Sequence, residues 1–300
     1  MARARKEVPF ASGFVPELLR LVRARQRDAG LLIRRFRLPE DVETCAEVSL
    51  TASDLGLLLE AAAGELDEPF LGLRLPRELT PRAYGLSELA VRASPTVRDA
   101  LQRLVRYAPL EHAPLVLALE ERPGGAALTC RVTGHPRGLT RHVHEYVLAS
   151  ALHQTRVLTG HEVRPQAVWF VHARPRHLAP LEHFFGTEEL DFGRADNGLL
   201  LDAGALALPL STADARLLAT AEQLAEARLA TRAPDGDFTS RVAAHIAEAL
   251  ESGADVDAIA ERLHLSRRTL QRRLEEEGLS FQGLVDQVRA ERAQIGRAHV

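Results

Sequence analysis

Cysteine and lysine are nearly absent from this chain of 300 residues, and long apolar runs are missing. The two cysteines, Cys45 and Cys130, stand far apart and form neither a CxxC pair nor a disulfide framework. A reducing, cytoplasmic setting fits them. Lys6 is the only lysine among 38 basic residues, so the positive charge is almost all guanidinium. The net charge of −3 excludes a uniformly basic nucleic-acid binder, although a local basic stripe is enough for that task. The uncharged stretch 203–213, AGALALPLSTA, contains Pro209 and stops well short of the roughly 20 residues a membrane-spanning helix needs. The basic start, MARARKEVPF, runs on to Glu17 and Arg20 without the apolar core of a signal peptide.

Catalytic signatures are also missing. No GxSxG elbow supports a hydrolase triad, and no GxxxxGK[ST] or GxGxxG loop leads from a strand into a helix. The expectation is a protein that is not an enzyme and needs no cofactor. Eight of the twelve histidines fall between 135 and 183: His135, His142, His144, His153, His161, His172, His177 and His183. Their spacing does not make a metal site. HExxH and HxxxH are absent, and His142 and His144, two apart, face different sides of a helix. His142 with Glu145 is the best pair, and a pair is not a site, so no metal is expected.

What is present suggests two domains, the natural prior at this length. Helical spacing runs from Gly13, with Leu18, Leu21 and Val22 apolar and Gly30 as the stop. Helices follow at Ser53–Gly64, capped by Ser53, then at Pro69–Leu75, Leu86–Ala93 and Thr96–Ala108. Leu115–Leu119 and Ala127–Thr133 alternate around Gly124-Gly125, a hairpin signal. Thr140–Gly160 is a long helix whose buried face is Val143, Val147, Leu148, Ala151, Leu152 and Leu158. Short strands at Ala167–His172, Glu189–Phe192 and Gly198–Asp202 surround a helix at Arg176–Phe185. This order predicts an α+β domain with a small, mainly antiparallel sheet. A charged helix at Ala213–Ala230 ends at Ala233-Pro234-Asp235-Gly236-Asp237, the best linker, and an all-α segment follows it.

The most informative stretch is Val256–Gly278, VDAIAERLHLSRRTLQRRLEEEG. Two short helices meet at a tight turn. Ile259, Ala260, Leu263, Leu265, Leu270 and Leu274 fall where one must pack across the other, the pattern of a helix-turn-helix. Ser266 is placed to cap the second helix. With Leu270 and Leu274 turned inward, Arg268, Gln271 and Arg272 point outward near its N-terminus, where recognition helices touch bases. Arginine can grip guanine O6 and N7, and glutamine adenine N6 and N7. Arg267 and Arg273, with Ser266, fit phosphate contacts that position without specifying sequence. Glu275–Glu277 would repel phosphate and mark where the helix leaves the groove. The competing reading is a solvated arginine-rich helix that contacts protein.

These residues resemble the first half of an AraC-type DNA-binding module. The matches are Ile259-Ala260, Leu263, Leu265-Ser266, Arg268, Thr269–Leu274, Gly278, Ser280-Phe281, Val288-Arg289 and Arg292. Upstream, PFLGLRL, RAYGLSELAVRASPTVRDALQRLVRYAPL, AVWFVHARPRHLAPLEHFFG and LDFGRADNGLLLD resemble the large sensor domain of one branch of that family. The resemblance covers about residues 15–294. It implies a ligand-responsive, sequence-specific transcription regulator of the activator type, whose partners are double-stranded DNA, an unknown small-molecule effector and a second copy of the chain, with no membrane. The organisation it implies is a ligand-sensing and dimerisation domain at 13–231, a linker at 232–238 and the first half of the DNA-binding domain at 239–294. The effector pocket is expected between sheet and helices, where Trp169, Phe170, Phe184, Phe185 and Phe192 concentrate the aromatic content; such rings are more often core than pocket lining, so no single ligand contact is assigned to them. Two departures stand out. His264 occupies a turn that often holds glycine. The second helix-turn-helix of such modules is missing, and residues 295–300, IGRAHV, break the helical pattern and read as a non-native tail. The alternative reading is a sensor and dimerisation protein whose truncated DNA-binding module is inactive.

Overall fold

The computed structural model describes residues 10–79, 85–111, 115–132, 135, 138–231, 255–263, 265–276 and 279–285, with 242, 243, 245, 246, 249 and 288. These fall into two compact units, one over Lys6–Arg228 and one within Leu229–Val300. The linker at 232–238, much of the helix expected before the helix-turn-helix, His264, Gly278, Arg289, Arg292 and the tail at 295–300 lie outside the described residues.

The first unit is α+β. Strand β1 (Phe10–Ser12) pairs antiparallel with β2 (Val48–Leu50), a small ribbon the sequence reading did not anticipate. Between them lie α1 (Phe14–Ala24) and α2 (Ala29–Arg35). Gly30 does not stop the first helix; it sits inside the second. Gln26, at φ 57°, takes the left-handed position that ends α1, and the Asp28 side chain accepts from Leu31 N–H to start α2. Helix α3 (Ala52–Leu66) is capped by Thr51 rather than Ser53: Thr51 Oγ1 accepts from Asp54 N–H at 3.1 Å and donates to Asp54 Oδ2 at 2.8 Å. Then come α4 (Leu71–Glu78), α5 (Gly85–Arg92) and α6 (Val97–Glu111).

The main sheet has five strands, β3 (Leu115–Arg122), β4 (Gly125–Val132), β5 (Ala167–Phe170), β6 (Leu190–Phe192) and β7 (Asn197–Asp202), in the order β3-β4-β7-β5-β6. Every pairing is antiparallel except β5 with β6. Arg122 faces Gly125 across the hairpin, so the two-residue turn is Pro123-Gly124, one position earlier than the sequence suggests. Gly124, at φ 80°, supplies the backbone the turn needs. Helix α7 (Arg141–Thr159) precedes β5, α8 (Ala179–Phe185) lies between β5 and β6, and α9 (Ala203–Ala207) follows β7. Helix α10 (Ala215–Thr231) buries Ala221 and Ala225 and clips to α6 through Arg103–Glu222 and Arg106–Glu226.

Two apolar clusters build this unit. One gathers α1, α2 and α3 around Leu18, Leu19, Leu32 and Leu58. The other packs the sheet against helices through Leu128, Leu152, Phe170 and Phe185. Helix α7 serves both, giving Val143 to the first and Leu148 and Leu152 to the second. It approaches α4 so closely that a Cβ on Gly72 would stand 2.6 Å from His142 O.

The second unit is helical. Helices α11 (Val256–Arg262) and α12 (Arg267–Glu276) pack around Ile259, Leu263, Leu270 and Leu274. Val242, Ile246, Leu284 and Val288 complete the same core. No described helix is long and apolar enough to cross a membrane.

Candidate nucleic-acid interface and effector cavity

The helix-turn-helix is built by two caps and one shared core. Asp255 starts α11 by accepting from Ala258 N–H at 3.3 Å. The chain then turns at Leu263, whose amide bonds back to Ile259 O, while Leu265 N–H reaches Ala260 O at 2.9 Å. Ser266 starts α12: its Oγ accepts from Thr269 N–H at 3.2 Å and lies 2.8 Å from Thr269 Oγ1. Leu270 and Leu274 are fully buried one turn apart, which fixes the rotation of α12.

That rotation decides where the polar side chains sit. Arg268, Arg272 and Arg273 are exposed, and Gln271 is half-buried. Arg267 pairs with Asp257 of α11 at 3.0 Å; both side chains are more than half exposed, so the pair adds little stability. Ser266 is exposed as well as capping. All six residues singled out in the sequence lie within one helix and its cap. Four of them, Arg267, Arg268, Arg272 and Arg273, carry guanidinium groups able to meet phosphates or guanine edges.

The first unit holds a cavity of about 160 Å³. Helices α3, α5, α6 and α7 and strands β3 and β4 supply its walls, which are overwhelmingly aliphatic, as at Leu59, Leu101, Leu104, Leu117, Val143 and Val147. The aromatic group Trp169, Phe170, Phe184, Phe185 and Phe192 does not line it. Phe170 instead packs on Phe185 and Phe192, with centroids 6.0 and 5.7 Å apart, inside the core at the other end of the sheet. Phe170, Phe184 and Phe185 are core, Phe192 packs half-buried against them, and the half-buried Trp169 donates from Nε1 to Asp196 Oδ1 at 2.7 Å. The cavity forms where α7 leaves the sheet to pass under α3.

Sequence reading missed the polar residues of this cavity. Glu88 and Arg92, one turn apart on α5, pair at 3.2 Å. Burial pushes the Glu88 carboxyl above its ordinary range, against the opposing pull of Arg92. Ser150 and Gln154, one turn apart on α7, also line it, and Ser150 Oγ and Gln154 Oε1 have no hydrogen-bond partner among the described residues. The available signal was the break they make in the apolar stripe of α7.

The histidines scatter. His144 is buried with Nε2 accepting from Leu139 N–H, whereas His142 faces Gly72 N–H and lies 3.8 Å from both Glu60 and Glu145. Among the described residues no group of three His, Cys, Asp or Glu could hold a metal ion. Both cysteines are free; burial pushes the Cys130 thiol up to about 12, which makes it inert.

A helix-turn-helix with arginines on its outer face and a separate α+β unit holding an apolar cavity together point to a class of regulator. Residues 27–210 match the arabinose-binding domain of AraC transcription regulator, N-term. That match covers more than half of the chain, and the chain belongs to the AraC family of transcription regulators. It is 28% identical over 280 residues to the HTH-type transcriptional regulator VirS of Mycobacterium tuberculosis, covering 92% of this chain and 81% of that protein. It is 27% identical over 241 residues to the ornithine utilization regulator of Pseudomonas aeruginosa, covering 80% of this chain and 70% of that protein. The solved structure of the transcriptional regulator CdpR from Pseudomonas aeruginosa aligns with a TM-score of 0.48 at 20% identity, over 88% of this chain and 82% of that one.

Proposed function

We propose that the chain is a ligand-responsive, sequence-specific DNA-binding regulator, with α12 as its recognition helix. The observation that carries the reading is the orientation of α12: Leu270 and Leu274 are buried, and Arg268, Arg272 and Arg273 stand on the exposed side. Arg268, Arg272 and Gln271 are assigned to base edges, and Ser266, Arg267 and Arg273 to phosphates. Gln271, being half-buried, must extend past its neighbours to reach a base. Arg267 must exchange Asp257 for a phosphate.

The sensor and dimerisation role is assigned to residues 13–231 and the DNA-reading role to 239–294. Effector binding in the cavity favours one conformation of the sensor over another, and the difference in affinity sets how far DNA binding shifts. A second copy of the chain is part of this reading. Leu217 and Leu224, seven apart on α10, are 42% and 53% exposed, an apolar stripe that a dimer would cover.

Binding-site selection from random duplex DNA, followed by gel shift of the 300-residue chain, tests the proposal. A shared motif with affinity well above that for scrambled duplex is the expected result. Uniform affinity for all duplexes would leave α12 a solvated arginine-rich helix.

A further inference from the structure

The cavity walls narrow the chemistry of the effector, on the reading that the cavity is the sensor site. Its volume of about 160 Å³ is close to that of an engineered apolar cavity known to accept benzene, so it suits a molecule on the order of six to ten non-hydrogen atoms. A pentose meets that size limit. It does not meet the chemistry: each sugar hydroxyl buried against aliphatic side chains loses a hydrogen bond to water and finds none in return.

Three observations fix the polar character. The charged lining residues are Glu88 and Arg92, and they pair with each other, so the cavity presents no unopposed charge to a ligand. Of the other polar lining residues, Ser87 and Tyr146 have partners, Thr155 Oγ1 donates to Ala151 O at 2.8 Å, and Ser12 is buried without being among the unsatisfied groups. The unsatisfied atoms, Ser150 Oγ and Gln154 Oε1, belong to one patch because their residues are four apart on α7. Buried polar atoms without partners are rare in folded proteins, and a bound ligand is one of the things that explains them. Gln154 Oε1 can only accept, and Ser150 Oγ can both donate and accept.

We propose that the effector is a small, uncharged, mainly aliphatic molecule ending in one group that both donates and accepts a hydrogen bond, such as a primary amide or an alcohol, held between Ser150 and Gln154. Its donor meets Gln154 Oε1, its acceptor takes the Ser150 hydroxyl, and its hydrocarbon part lies against Leu101, Leu104 and Val147.

The test uses calorimetric titration and thermal melting of the full chain with three probes. Heptanamide supplies donor and acceptor; 2-octanone, of equal size, supplies an acceptor only; L-arabinose is the polar alternative. Heptanamide is expected to bind at least about tenfold more tightly than 2-octanone, the worth of one good hydrogen bond to a group otherwise left unpaired. L-arabinose is expected to give no heat and no shift in Tm. Gln154→Leu is expected to raise the Tm of the ligand-free protein and to erase the preference for heptanamide, a combination that a purely structural residue would not produce. Ala151→Phe, which fills the cavity, is expected to abolish binding of heptanamide and 2-octanone alike. Binding of L-arabinose that Ala151→Phe blocks would overturn the apolar assignment and leave the sensor reading standing. Failure of all three probes to bind would overturn both. An unchanged heptanamide preference in Gln154→Leu would overturn the role of the Ser150–Gln154 patch.

Discussion

His144 Nε2 accepts a hydrogen bond from the Leu139 amide at 2.8 Å, which ties the ring to the segment that enters α7. Its other nitrogen lies 3.0 Å from Asn197 Nδ2 on β7, so the ring is wedged between helix and sheet. Protonating the ring would set an imidazolium N–H against the Leu139 N–H. Burial, with a smaller contribution from the nearby His172, pushes the His144 pKa down from 6.5 to about 4.

A pH dependence follows from that depression. Between pH 6.5 and 4 the unfolded chain takes up a proton on this histidine and the folded chain does not. The stabilisation is therefore complete above pH 6.5 and is lost as the pH falls towards 4, by on the order of 3 kcal/mol. His153 and His172 are lowered in the same direction. Tm measured against pH should fall steeply across this window, and His144→Gln should flatten the fall without abolishing it.

Glu145 is fully buried, with Arg141 Nε 3.2 Å from its carboxylate. Arg141→Met should cost about 3 kcal/mol, because it strands a buried charge. Adding Glu145→Gln should recover most of the loss. Chemical denaturation of the two single variants and the double variant measures the coupling.

Gly72 lets α4 approach α7. A Cβ there would meet His142 O at 2.6 Å and Tyr146 N at 3.1 Å, both backbone atoms that cannot move aside singly. Gly72→Ala should therefore destabilise the first unit by about 2 kcal/mol despite its better helix propensity. Ala substituted at Gly64, where a Cβ meets nothing within 4 Å, is the control and should be neutral or stabilising.

Ser266 caps α12 through Thr269 N–H. Ser266→Ala should cost about 1 kcal/mol, seen as earlier melting of the second unit. Ser266→Asp should restore the cap and its stability, yet weaken DNA binding by placing a carboxylate beside phosphates.

Arg272→Ala should cost roughly 1–3 kcal/mol on the selected DNA site and relax its sequence preference at one position. Arg273→Ala, assigned to phosphate, should weaken all duplexes alike and reduce the salt slope of binding by about 1. Fluorescence anisotropy titrations at several salt concentrations separate the two outcomes.

Much of this protein is local physics written in residue order. The spacing of Ile259, Leu263, Leu270 and Leu274 and the cap at Ser266 define the helix-turn-helix, because neighbours along a helix meet at fixed intervals and a cap needs only its own next few amides. The same holds for the length of α7 and for the β3–β4 hairpin. Where a local alternative existed, sequence reading chose wrongly: Gly30 seemed a stop, but Gln26 takes the left-handed residue, and Thr51 caps α3 ahead of Ser53. The cavity is a different matter. It depends on how α7 crosses from the sheet to α3, and so on contacts between residues far apart in the chain such as Leu59, Leu101 and Val147. Only packing could show that Ser150 and Gln154 border it, because a void is a property of the walls that fail to meet.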